Sequence, residues 1–129
     1  ILTVRHARQA LEMGACRIIN IKAGRVGGLS QAVAIHNLCC QQGVPVWCGG
    51  MLETGVGRSA NLALASLPGF TLPGDISATD RYYAEDITEQ RFSLNSDSTI
   101  TVPTAPGLGI TINPDALARY TIRQTTVKL

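Results

Sequence analysis

Aromatic residues are scarce in this 129-residue chain, at 5%, and charge of either sign is thin, with 11 Lys and Arg against 9 Asp and Glu and a formal net charge of +2. No Lys/Arg stripe forms, so nothing marks a nucleic-acid surface. No apolar run approaches the roughly 20 residues that cross a bilayer, so no membrane segment is expected. The start shows no secretory pattern, and a cytoplasmic location is expected. Cysteine is limited to Cys16, Cys39, Cys40 and Cys48, with no CxxC pair. That spacing offers neither a zinc knuckle nor a redox motif, and reduced buried thiols are the expectation. Walker and dinucleotide glycine patterns are missing, and no Ser-His-Asp or Cys-His arrangement stands out.

What the chain has is apolar content: 45% hydrophobic against 16% charged residues, enough for one globular domain with a sizeable core. Residues 3–13 place Val4, Ala7, Ala10 and Leu11 on one helical face, and Gly14 supplies a stop. Residues 16–21 read as a strand. Residues 28–42 read as a helix with an inner stripe through Leu29, Ala32, Val33, Cys39 and Cys40, closed by Gly43. A second strand follows at 44–47, with Pro45 suited to its beginning. A third helix runs over 56–67 on Val56, Ala60, Ala63, Leu64 and Leu67, and a short third strand over 70–72.

Strand–helix units thus recur about every 26 to 28 residues, with strands apolar on both faces, which predicts parallel strands under a helical layer. Three such units cannot close a barrel of eight strands, which needs about 250 residues, so the chain reads as the last third to half of one. Beyond Asp75 the pattern changes. Residues 77–89 are polar, with Tyr82 and Tyr83 as anchors. Residues 92–94 and 99–102 read as two antiparallel strands around 95–98, and 103–109 as a Pro/Gly loop. Asn113 then caps a final helix that has Pro114 in its first position.

One residue type is out of place. Lys22 ends the apolar run Ile18-Ile19-Asn20-Ile21, which puts an ammonium at the carboxyl end of a strand, where barrel enzymes keep their chemistry. Three readings stay open on the residues alone: a proton-transfer base, a cation facing a developing oxyanion, or a loop salt bridge. Gly24, Gly27 and Gly28 read as backbone relief for a tight turn. Arg25 either approaches Lys22, as a nearby cation that makes it a better base, or faces solvent. At the next strand end, Gly49 and Gly50 let backbone approach a ligand, and Met51 and Leu52 form an apolar wall. Glu53 is either an acid behind the site or a helix-start residue. Asp75 and Asp80 read as turn or cap residues more readily than as ligands. His6 and His36 are expected to be structural, with His36 packed and hydrogen-bonded in its helix stripe.

Three blocks together are specific: Asn20-Ile21-Lys22-Ala23-Gly24-Arg25-Val26-Gly27-Gly28, Val44-Pro45-Val46-Trp47-Cys48-Gly49-Gly50-Met51-Leu52-Glu53-Thr54-Gly55, and Ala65-Ser66-Leu67-Pro68-Gly69-Phe70-Thr71-Leu72-Pro73-Gly74-Asp75. They resemble the enolase superfamily, and within it the o-succinylbenzoate synthase and N-acylamino acid (N-succinylamino acid) racemase group. The resemblance runs over nearly the whole chain and is strongest from Asn20 to Asp86.

The resemblance implies an α/β fold: the C-terminal portion of a (β/α)7β barrel, strands six to eight, plus an irregular C-terminal segment. Residues 1–75 would supply the barrel units, and 76–129 a segment packing on the barrel and a capping domain. Lys22 would match the catalytic lysine of the sixth strand. Arg25 would tune it from behind, and Gly49, Gly50 and Met51 would contact substrate. The implied cofactor is Mg²⁺, with its three carboxylate ligands and a partner lysine expected before Ile1 and no metal ligand in this chain. The implied reactions share an enediolate: dehydration to o-succinylbenzoate, in which Lys22 is chiefly a stabilising cation, and racemisation, in which Lys22 is a true acid/base. Dipeptide epimerases, the nearest competitor, carry an Asp-x-Asp pair that Asp75-Ile76-Ser77 breaks. The expected partners are a small carboxylate substrate, the preceding half of the barrel and, in full-length form, further copies of the protein. Without that half the chain is expected to be inactive, and a non-catalytic fragment is the reading from a different class.

Overall fold

The computed structural model describes residues 1–128. Helix α1 (Val4–Glu12) begins where the Thr3 hydroxyl accepts from the His6 N–H at 3.1 Å. It ends in a Schellman turn, with Gly14 at φ 63° and the Ala15 N–H reaching the Ala10 carbonyl. Strand β1 (Ile19–Ile21) leads through Lys22 into a one-turn helix α2 (Ala23–Val26), which sequence periodicity did not anticipate. Helix α3 (Leu29–Gln41), strand β2 (Val46–Cys48) and helix α4 (Gly55–Ala65) follow. A 3-10 turn (Thr79–Arg81) and helix α5 (Pro114–Tyr120) complete the chain. The expected cap of the last helix is present, since Asn113 Oδ1 accepts from the Asp115 and Ala116 N–H groups.

β1 and β2 pair in parallel, Ile19 with Val46, Asn20 with Trp47 and Ile21 with Cys48. Ile19, Ile21, Val46 and Cys48 turn one face of the sheet into the core, against Ala7, Ala32, Ile35, Leu38, Cys39 and Leu64 from the helices. Each of the aliphatic side chains contributes about 1.5–3 kcal/mol by leaving water. The other face carries the half-buried Asn20 and Trp47, so with Asn20 on it β1 is not apolar on both faces as the alternation suggests.

The expected third strand at 70–72 does not form. The 69–75 segment runs beside β2, bonding it only where Val46 N–H meets Gly69 O and Asp75 N–H meets Cys48 O. Between those points the Phe70 and Thr71 N–H groups turn back to Leu67 and Gly69, and Pro73 has none to give. The strands at 92–94 and 99–102 are also absent; a single turn closes them, with Asn95 N–H to Thr99 O. The antiparallel contact lies instead between Thr88 and Ile112.

Two helix faces differ from the apolar stripes expected. On α3 the buried residues are Ala32, Ile35, His36, Leu38 and Cys39, whereas Leu29 and Cys40 are exposed. The α4 face buries Arg58, Ser59 and Asn61 beside Leu62 and Leu64, while Ala63 is exposed. A hydrophobic template cannot find a face that is half polar. All four cysteines are free, but only Cys39 and Cys48 are buried; Cys16 is half-buried and Cys40 exposed.

Candidate active site

Lys22 has extended backbone (φ −111°, ψ 111°), and its carbonyl accepts from the Arg25 and Val26 N–H groups, so strand becomes helix at that residue. Gly27 and Gly28, at φ 93° and 108°, then reverse the chain into α3, the relief expected of them. Parallel pairing brings the next strand end alongside, with Gly49 N–H donating to Ile21 O at 3.0 Å.

There the Lys22 ammonium donates to the Gly50 carbonyl at 2.7 Å and lies 3.3 Å from Met51 Sδ. A Cβ on Gly49 would meet Asn20 Oδ1 and stand 2.6 Å from Lys22 Cε; only glycine leaves that space for the lysine stem. One on Gly50 would stand 2.6 Å from the Asp75 carbonyl oxygen. The Gly50 N–H bonds Asp75 Oδ1, and the Met51 N–H donates to both Glu53 carboxylate oxygens at 2.8 Å. Lys22, Gly24, Arg25, Gly49, Met51 and Glu53 line a cavity of about 550 Å³. A smaller cavity of about 220 Å³ between α4 and residues 98–102 is lined by no Lys, Arg, His, Asp or Glu.

The strand-end residues Lys22, Gly49, Gly50 and Met51 therefore come together. Leu52 does not line that cavity, and its side chain is exposed. Arg25 donates to the Asn20 carbonyl at 2.7 Å, bracing the strand that carries Lys22. Burial pushes the Cys48 thiol up to about 12; Glu53 and Asp75 add to the rise and Lys22 opposes it, so Cys48 is no nucleophile here. Asp80 pairs with exposed Arg91 at 3.8 Å, away from the site.

Sequence reasoning overlooked three features. Asn20 Oδ1 is buried and accepts no hydrogen bond among the described residues; its position two before Lys22, on the same strand face, was the available signal. Asp86 lies in a stretch that reads as loop, yet it is buried. Its two oxygens accept from the Gly55 N–H at 2.9 and 2.8 Å at the start of α4, and it lies 3.6 Å from Arg58. The anchor expected at Tyr83 is real, its hydroxyl donating to Leu52 O at 2.6 Å, while Tyr82 is exposed. Finally, Cys40 Sγ is 3.4 Å from His36 Nε2, a Cys-His contact at i, i+4. His36 is otherwise the packed residue expected: it accepts from the Gly69 N–H at 3.0 Å and stacks on Phe70. His6, by contrast, is exposed.

The enolase C-terminal domain-like family matches residues 1–116. The chain belongs to that family. Members are Mg²⁺-dependent, but among the described residues no group of three His, Cys, Asp or Glu side chains can hold a metal ion. Over 121 residues the chain is 55% identical to the N-succinylamino acid racemase of an Amycolatopsis species, covering 94% of this chain and 32% of that one. It is 52% identical to the o-succinylbenzoate synthase of Bacillus subtilis strain 168, covering 93% and 32%. A crystal structure of an enolase-superfamily protein from Listeria innocua superposes with a TM-score of 0.91 at 47% identity, covering 95% and 33%. The chain thus spans about a third of the length of the relatives it matches. Its fold is α/β with a small parallel sheet. No helix among the described residues is long and apolar enough to cross a membrane.

Proposed function

We propose that this chain is the C-terminal part of an o-succinylbenzoate synthase that also racemises N-succinylamino acids. The observation that carries the reading is Lys22, a strand-end ammonium held over a cavity by the neighbouring glycine turn. Relatives that share half the chain's residues are named for those two activities. β1, β2 and the 69–75 segment would be the sixth, seventh and eighth strand positions of a barrel. Residues 1–75 would form its last units, and 76–129 the segment closing over them.

In this reading racemisation uses Lys22 on one face of the substrate, as the amine that takes the α-proton of one enantiomer or the ammonium that delivers the proton forming it, while the partner lysine expected upstream serves the opposite face. In dehydration Lys22 remains charged and faces the developing negative charge. Gly49, Gly50 and Met51 would present backbone and an apolar edge to the substrate, and Arg25 would keep the Lys22 strand end in place through Asn20. The described residues supply no metal site, so Mg²⁺ would be held by the preceding part of the enzyme, and no step here runs through it. That part, a small carboxylate substrate and further copies of the protein are the partners proposed, in the cytoplasm. Asp75 spends an oxygen on the Gly50 N–H and has Ser77 rather than a second aspartate two residues on, which favours an uncharged N-acyl group over a free ammonium.

The test is α-proton exchange in deuterated water with an N-succinylamino acid and Mg²⁺, using the chain alone and the enzyme completed by its upstream segment. Exchange is expected only from the completed enzyme, and Lys22→Ala is expected to lose it for the enantiomer whose α-proton faces Lys22 and to lose racemisation altogether. Turnover by the chain alone would overturn the placement of the metal ligands. Wild-type racemisation by Lys22→Ala would remove Lys22 from the mechanism.

A further inference from the structure

Glu53 stands one residue before Thr54, the residue preceding α4, yet it does not cap that helix. The α4 N-terminus is capped by Asp86, whose carboxylate takes the Gly55 N–H, while Glu53 accepts from Met51 N–H and from Asn61 Nδ2 at 2.9 Å. Met51 N–H and Gly50 C=O are the two ends of one planar amide. Lys22 Nζ occupies the oxygen end of that amide at 2.7 Å, and the Glu53 carboxylate its hydrogen end at 2.8 Å. A cation and an anion therefore polarise the same peptide dipole from opposite sides, and each strengthens the bond made by the other.

We propose that Glu53 is a positioning residue for Lys22, acting through the Gly50–Met51 peptide to hold the carbonyl on which the ammonium rests. Asn61, buried on α4, fixes the carboxylate from behind, and Asp75 holds the Gly50 N–H of the preceding peptide. The turn is tied down at both of its amides, so the carbonyl between them has one direction to point. With Glu53 removed, the peptide is free to rotate and the ammonium loses its fixed acceptor.

The proposal rests on the reading of Lys22 as the proton-transfer group, so its test has an arm independent of activity. The chain contains two lysines, Lys22 and Lys128. In the completed enzyme labelled with ¹⁵N-lysine, the signal missing from Lys22→Ala identifies the Lys22 ammonium, and Lys128 serves as its reference. The Lys22 ammonium hydrogens are expected to exchange with water about tenfold more slowly than those of Lys128. Glu53→Ala should erase that difference. Glu53→Gln, which keeps the shape and one acceptor oxygen, should retain part of it. Wild-type protection in a folded Glu53→Ala protein would overturn the proposal. In the completed enzyme, Glu53→Gln should lower kcat for α-proton exchange about tenfold with KM within about twofold; an unchanged kcat would overturn it equally. If Lys22→Ala retains wild-type racemisation, the catalytic reading of Lys22 fails, and the ammonium measurement still decides whether Glu53 positions it.

Discussion

Replacing Asp86 with alanine removes four contacts at once. Its carboxylate takes the Gly55 N–H at 2.9 and 2.8 Å, takes the Ile87 N–H at 2.8 Å, and lies 3.6 Å from Arg58 Nη1. Arg58 and Asp86 have side chains only 1% exposed, and Nη1 has no hydrogen-bond partner among the described residues, so the carboxylate is what offsets its charge. Loss of the cap alone costs about 1 kcal/mol. Stranding a buried guanidinium raises the total to about 3–5 kcal/mol. That is a large share of the 5–15 kcal/mol typical of a domain, so the urea midpoint should fall sharply with an unchanged slope. Replacing both partners with apolar residues, as Arg58→Met with Asp86→Leu, should recover much of the loss, because the desolvated charge goes with its partner. Urea unfolding of Arg58→Met, Asp86→Leu and the double variant closes the cycle. A cost below about 1 kcal/mol for Asp86→Ala, or a double variant with no recovery, would refute the view that the pair clamps α4 to the C-terminal segment.

Gly49→Ala should destabilise the chain by about 1–3 kcal/mol and shift the Lys22 signals, since the new methyl overlaps Asn20 and the lysine stem; wild-type stability by urea melt would contradict this. Thiol alkylation at neutral pH should label exposed Cys40 first and leave Cys39 and Cys48 untouched until unfolding, which peptide mapping reads directly. Burial pushes those two thiols up to about 11 and about 12, against 9.0 for a free thiol. Their stabilising contribution is therefore complete below pH 9 and declines above it, because the unfolded chain loses the protons first. The slope should be about 1.4 kcal/mol per pH unit for each thiol, and a flat stability profile from pH 9 to 11 would contradict it.

Local signals read directly from the residues survived into the fold. The helix expected over 3–13 with its Gly14 stop, the Asn113–Pro114 start and the glycine reversal before α3 depend on backbone propensities that act within a few residues, and each lies within a residue of where the pattern put it. Lys22 was legible for the same reason: an ammonium at the end of an apolar run has few bland explanations. What failed needed a partner from elsewhere in the chain. The 70–72 segment has strand composition, but its N–H groups bond within their own turn and Pro73 donates none. The 92–94 and 99–102 segments share no backbone bond, and only Asn95 in the turn between them reaches Thr99.

The sequence by itself determined the strand–helix alternation, the lysine at a strand end and the glycine turn one unit later, because those are short-range patterns of propensity and spacing. Only the tertiary structure decided that Glu53 serves the Met51 amide rather than a helix start, that Asp86 reaches back to cap α4, and that α4 buries an arginine. These are contacts between groups chosen by charge and hydrogen-bonding geometry across 2 to 31 residues of chain, and no period or propensity encodes which donor will find which acceptor.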